Sequence, residues 1–143
     1  MKVEIINAWE SQYEGLKKNI AFAPLTSPYL AALFPSDVNV SICDEQIRQI
    51  DYDIDVDLVA ITYLISNAPH AYEIADRFRK RGTPVVMGGF HASFLPEEAL
   101  EHADAVVVGE AEDIFPEIID DFKQGALKRI YKTKIFFKYM CIL

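Results

Sequence analysis

The side chains able to do chemistry are few and scattered. Glu110 and Glu112 stand two positions apart behind Gly109, a pairing that invites general acid/base work. No nucleophile or second catalytic group accompanies them, so they read instead as carboxylates capping a neighbouring helix through its dipole, or as acceptors for the amides of a ligand. His70, His91 and His102 show no metal-ligand spacing. His91 follows Gly88-Gly89-Phe90 and either donates to an amide or phosphate of a ligand or is satisfied by the loop backbone. His70, at a helix start, and His102, near a helix end, are expected at the surface. Asp51, Asp53, Asp55 and Asp57 form a ladder that lacks the glycine and distal glutamate of an EF-hand loop, and a solvated loop is expected there. Cys43 and Cys141 make neither a disulfide framework nor a metal-spaced pair, which favours a reducing cytosol. No catalytic residue and no metal site is assigned.

The sharper signal lies in the backbone. The apolar runs Pro84–Met87 and Ala105–Val108 both stop on glycine, at Gly88-Gly89 and at Gly109, with the helix start Pro96-Glu97-Glu98 between them. Glycine serves a strand end where the chain must turn with positive φ or where a ligand comes to van der Waals distance. A tight turn explains any one of the three; three on two adjacent strand ends favour a large, flat ligand.

These loops need elements to hold them. At 143 residues with 51% hydrophobic and 25% charged residues, the chain has the length and composition of one folded domain with a real core. A net charge of −8 works against a surface that tracks a nucleic-acid backbone. No segment approaches the roughly 20 apolar residues of a membrane span, and the N-terminus reads as a first strand rather than a signal peptide. Lys2–Asn7 predicts a strand, Pro28–Phe34 a short helix, Asp37–Cys43 a half-exposed edge strand and Asp57–Tyr63 a strand covered on both faces. Asn67–Arg81 predicts a helix with a basic last turn, stopped by Gly82. Further helices are expected from Pro96 and from Glu112 to Lys123. This alternation defines an α/β fold: a flavodoxin-like, doubly wound parallel sheet of five strands in the order 2-1-3-4-5, in three layers. The terminal "RIYKTKIFF" supplies either a sixth strand or the start of another unit.

In such a sheet the ligand crevice lies at the carboxyl ends of the strands, near the reversal of strand order. A dinucleotide fingerprint and a P-loop are both absent. The stretch after the first strand holds Ser11 alone of a flavodoxin-type phosphate loop, and the acidic residues of a phosphoacceptor domain are misplaced, since Asp57 opens its strand and Tyr63 closes it.

The runs "PLTSPYLAALF", "DLVAITYLI" and "VVMGGFHASFLPEEALEHADAVVVGEAED" together resemble the N-terminal cobalamin-binding domain of B12-dependent radical SAM proteins, over about Met1 to Phe122. Thr62-x-Leu64 and Gly88-Gly89 match the Ser-x-Leu and Gly-Gly elements that wall the dimethylbenzimidazole tail in related B12 folds. The resemblance implies cobalamin contacts from Thr62, Tyr63, Leu64, Gly88, Gly89, Phe90, His91, Gly109 and Glu110. Tyr29, Tyr63 and Phe90 either line an aromatic ligand wall or pack in the core. The Asp-x-His-x-x-Gly element after strand one is missing, so the resemblance implies a cobalt without a lower histidine ligand from that loop. It further implies that residues 1–127 form the cofactor module and that residues 128–143 begin a radical SAM barrel, where the iron–sulfur cluster and S-adenosylmethionine reside; of its Cys-x-x-x-Cys-x-x-Cys motif only Cys141 is present. The function implied is a cytoplasmic module positioning methylcobalamin for that barrel, in an enzyme of methyltransferase or cyclase type. The alternative is a cofactor-free interaction or regulatory domain whose glycines serve turns alone.

Overall fold

A computed structural model describes residues 1–10 and 24–133. The elements are β1 (Lys2–Asn7), α1 (Thr26–Ala32), β2 (Asn39–Asp44), β3 (Leu58–Thr62), α2 (Ala68–Lys80), β4 (Val85–Gly88), α3 (Phe90–Phe94), α4 (Pro96–His102), β5 (Ala105–Val108), α5 (Phe115–Lys123) and β6 (Ile130–Lys132). A single 3-10 turn, Ile65–Asn67, leads into α2. The strands form one sheet in the order β2-β1-β3-β4-β5-β6, every neighbouring pair parallel. The fold is the expected flavodoxin-like three-layer α/β sandwich, with β6 added at the edge beyond β5. "RIYKTKIFF" therefore begins as a sixth strand; its residues from 134 on lie outside the described residues.

Alternation along each strand sorts side chains onto two cores. On one face Ile6, Val59, Ile61, Val85, Met87 and Val106 pack under α2, α3 and α4 through Ala71, Ile74, Phe78, Ala92 and Leu100. On the other, Val3, Ile5, Leu58, Ala60, Val86 and Val107 meet Leu30 of α1 and Phe115, Ile118 and Ile119 of α5. Helices on both faces explain why β3 to β5 are almost uninterrupted apolar runs. Each fully buried Ile, Leu or Phe among them contributes about 1.5–3 kcal/mol of transfer free energy.

One charged side chain interrupts this core. Glu4 on β1 is 2% exposed. Arg48 Nη2 reaches its Oε1 at 2.6 Å and the Ser41 hydroxyl donates to its Oε2, so the chain leaving β2 is tied down onto β1. The aspartate ladder is largely engaged in exposed ion pairs and turn bonds: Lys2 bonds Asp55 and Asp57, and Arg81 pairs with Asp53 at 2.7 Å. β6 is anchored by the buried Tyr131, whose hydroxyl donates to Asp121, and by Thr133, whose hydroxyl donates to Asp113.

Candidate ligand-binding crevice

The parallel register sets one row of residues across the carboxyl ends of the strands. Asp44, Asn7, Thr62 and Gly88 are consecutive cross-strand partners, and a Cβ on Gly88 would lie 3.5 Å from Val107 Cβ. Below it, Ile5, Ala60 and Val86 form a second row. Both rows face α1 and α5, and with Leu30 and Phe115 they line a crevice of about 370 Å³. Small residues at Ala60, Thr62 and Gly88 keep this slot open where larger side chains would close it against the helices. The floor is apolar, with Asn7, Asp44 and Asn67 at one side and Ser93, Glu110 and Glu112 at the other.

Gly89 and Gly109 adopt positive φ, +109° and +91°. At Gly89 a Cβ would fall 2.7 Å from the Tyr63 carbonyl oxygen and 3.3 Å from Thr62 Oγ1. The side chain is thus excluded by the backbone of the neighbouring loop, which presses Thr62-Tyr63-Leu64 and Gly88-Gly89 into a single wall. Ser93 joins the two glycine loops: the Gly109 N–H donates to its hydroxyl at 3.0 Å, and the hydroxyl donates to the Gly89 carbonyl at 2.8 Å. The short α3, which carries Ser93, was not expected from the sequence.

Of the residues implied by the resemblance, Thr62, Tyr63, Leu64, Gly88, Gly89, Phe90, Gly109 and Glu110 come together around the crevice. His91 does not line it. Its Nε2 lies 3.1 Å from Glu98 Oε1, which also accepts the Tyr72 hydroxyl at 2.9 Å, and its ring sits 5.8 Å from that of Tyr63. These bonds from His91 and Tyr72 hold the Glu98 carboxyl below the ordinary range. The Tyr63 hydroxyl is sealed in behind the wall without a hydrogen-bond partner. Burial pushes it up to about 12, an effect the neighbouring Tyr72 hydroxyl only partly offsets. Burial also raises Tyr72.

His70 and His102, expected at the surface, are partly exposed and paired: His70 Nε2 contacts both Glu45 oxygens at 2.9 and 3.0 Å, while His102 stacks on Tyr72 at 4.3 Å and pairs with Asp76. Glu110 and Glu112 stand just before the N-terminus of α5, which has no side-chain cap hydrogen bond, and both line the crevice. Tyr29 is exposed and stands with Glu110, Glu112 and Asp113 in a shallow depression outside the main crevice.

Sequence reasoning missed Trp9, Glu45, Asn67 and Ser93. The Trp9 N–H donates to Glu45 Oε2 at 2.9 Å. The Asn67 amide donates to the Ala8 carbonyl at 3.3 Å and its oxygen lies 3.5 Å from the Glu10 N–H. The chain leaving β1 is thus held at three successive residues. A lone tryptophan at a strand end facing the sheet's ligand side was the available signal. Residues 11–23, which include Ser11, lie outside the described residues. Among the described residues no group of acidic, histidine or cysteine side chains could hold a metal ion, and no helix is long and apolar enough to cross a membrane.

A doubly wound sheet with a narrow slot at its strand ends defines a small-molecule-binding α/β domain. The family model for the B12 binding domain matches residues 27–119, and the chain belongs to that family. It is 47% identical over 108 residues to the bacteriochlorophyllide d C-8(2)-methyltransferase of Chlorobaculum tepidum, covering 75% of this chain and 24% of that one. It is 36% identical over 112 residues to the C-12(1)-methyltransferase of the same organism, covering 77% and 25%. An uncharacterized methyltransferase of Pyrococcus horikoshii is 34% identical over 115 residues, covering 71% and 25%. The chain spans about a quarter of the length of these curated relatives. The N-terminal domain of a hypothetical protein of Thermotoga maritima aligns with 60% of this chain and 74% of its own at 22% identity and a TM-score of 0.47.

Proposed function

We propose that this chain is the cobalamin-holding module of a cytosolic B12-dependent radical SAM enzyme. The observation that carries the reading is the wall made by Thr62-Tyr63-Leu64 against Gly88-Gly89, closed by a contact only glycine permits and standing over a slot of about 370 Å³. That volume is at the low end of the roughly 300–1,000 Å³ of small-molecule sites, and it suits a nucleotide-sized tail rather than a corrin ring. In this reading Thr62, Leu64 and Gly88 would hold the tail, and Phe90, Gly109 and Glu110 would hold the macrocycle. Tyr63 and His91 contribute from behind: Tyr63 through its peptide against Gly89, His91 by tying α3 to Glu98. No histidine lines the crevice, so the chain supplies binding and orientation without coordinating the metal.

When bound, methylcobalamin supplies a methyl group to a substrate radical generated with the iron–sulfur cluster and S-adenosylmethionine of an adjoining barrel. We assign that barrel to the parent protein, since this chain matches only 24–25% of the length of its curated relatives. Relatives about three times as long, each named a methyltransferase, favour the methyl-transfer class.

Titration with hydroxocobalamin, gel filtration and the visible spectrum of the co-eluting complex test the proposal. The expected spectrum shows the nucleotide base displaced from cobalt and no protein histidine in its place. Absence of co-elution and of any thermal shift at excess cobalamin returns the chain to the cofactor-free class; a histidine-coordinated spectrum keeps the cofactor and overturns the assignment of His91.

A further inference from the structure

We propose that Trp9 is the platform against which the flat face of the bound corrin packs, braced by Glu45 and His70. The inference rests on the cobalamin reading above and adds to it a residue that neither the sequence motifs nor the family match assigns.

Trp9 is 37% exposed and lines the crevice directly after β1, where the missing Asp-x-His-x-x-Gly loop would otherwise present a metal ligand. The slot behind it is too small for a macrocycle, so a planar ring system of that size has to rest on the rim. That rim is apolar and unusually open: Leu64, Phe90 and Phe94 are 50%, 67% and 68% exposed. Aromatic faces stack on conjugated planar ligands without needing directional polar groups. Packing by an indole is therefore a chemically sufficient substitute for coordination in holding the ring.

A platform has to be rigid, because ordering a mobile side chain on binding subtracts from affinity. The main chain here is held at Ala8, Trp9 and Glu10. The Ala8 N–H continues the ladder by donating to the Thr62 carbonyl at 3.0 Å, and Asn67 bonds Ala8 and Glu10. Glu45 holds the Trp9 N–H at 2.9 Å and is itself gripped by His70 through both carboxylate oxygens. Glu45 also donates its own N–H to the Asn7 carbonyl at 3.3 Å, so the brace is built into the end of the β1–β2 pair.

The test uses two corrinoids, hydroxocobalamin and the tail-less cobinamide, with affinity read by equilibrium dialysis on corrinoid absorption. Emission of the chain's single tryptophan reports its proximity to the bound ring. Both corrinoids should quench Trp9 in the unmodified chain. Trp9→Ala should weaken both by about tenfold at unchanged melting temperature, and Trp9→Phe should restore most of the loss. Glu45→Ala should reproduce part of the defect, with Glu45→Gln, whose amide oxygen still accepts the Trp9 N–H, rescuing it. Unchanged affinity in Trp9→Ala overturns the inference while leaving the cofactor reading intact. A loss confined to hydroxocobalamin also overturns it, because it puts Trp9 against the tail. If the unmodified chain binds neither corrinoid, the cofactor reading itself falls and takes this inference with it.

Discussion

Replacing Gly88 and Gly89 one at a time separates the slot from the turn beside it. Gly88 lies in β4 outside the positive-φ region, and a Cβ there meets Val107 Cβ at 3.5 Å, an ordinary van der Waals contact. Gly88→Val should therefore leave stability unchanged or raise it by about 0.5–1 kcal/mol, since a strand interior favours β-branched residues over glycine. Its methyls project over a slot of only about 370 Å³, so cobalamin should bind at least about tenfold more weakly while tail-less cobinamide is little affected. Gly89 behaves in the opposite way. At φ +109° and ψ −173°, an alanine carries about 1–3 kcal/mol of backbone strain. Its Cβ stands 2.7 Å from the Tyr63 carbonyl, which forces the two loops apart at a further cost of about 1–3 kcal/mol. At roughly 3 °C per kcal/mol for a domain of this size, a combined loss of about 4 kcal/mol lowers the melting temperature by about 12 °C. Thermal melting and corrinoid titration on the two variants decide the matter. Gly89→Ala melting with the unmodified chain would refute the strain argument, and Gly88→Val binding cobalamin normally would refute the slot as the tail site.

Two further outcomes follow from buried polar groups. Arg48→Met leaves the Glu4 carboxylate with Ser41 as its remaining partner and should lower stability in urea by about 2–3 kcal/mol, less than for a fully buried pair because the Arg48 side chain is half in water; a loss under about 1 kcal/mol would mean that the pair does not hold the chain after β2. Tyr63→Phe removes a hydroxyl that has no hydrogen bond, so stability near neutrality should change by less than about 1 kcal/mol. Folding raises the Tyr63 pKa from 10.0 to about 12, so its contribution is fully present below pH 10.0 and is lost as pH climbs through about 12. The variant should accordingly lose less stability than the unmodified chain across that window, as read by urea midpoints at stepped pH; equal slopes would contradict the burial of the hydroxyl.

The elements and their order were largely legible in the sequence. Period-two alternation, apolar runs and glycine stops are local signals, and for β1, β5 and the body of α2 they are strong enough to act without tertiary help. α3 escaped because five residues cannot establish a helical period and because its start depends on Gly89, whose conformation is set by the loop after β3. The glycines likewise announced that close approach was required, but whether ligand or backbone approached was a question of register. Thr62 pairs with Gly88, which turns Gly88 into the slot and leaves Gly89 against Tyr63.

The same division runs through the polar residues. Their types are visible in the chain, but which of them meet depends on contacts between residues far apart in sequence. His91, read either as a ligand contact or as satisfied within its loop, sits at the start of α3 and bonds Glu98 beside the Tyr72 ring. Glu45, His70 and Trp9 drew little notice singly, being 25 and 36 positions apart along the chain. Sequence by itself determined the parallel α/β architecture, the carboxyl-end location of the site and the B12-binding resemblance, because each follows from local periodicity or from motifs whose residues are close neighbours. Only the tertiary structure decided which face of each strand opens into the slot, which glycine borders it in the strand and what braces the chain leaving β1. Those outcomes depend on cross-strand register and helix packing, and a one-residue slip in register would reverse every one of them.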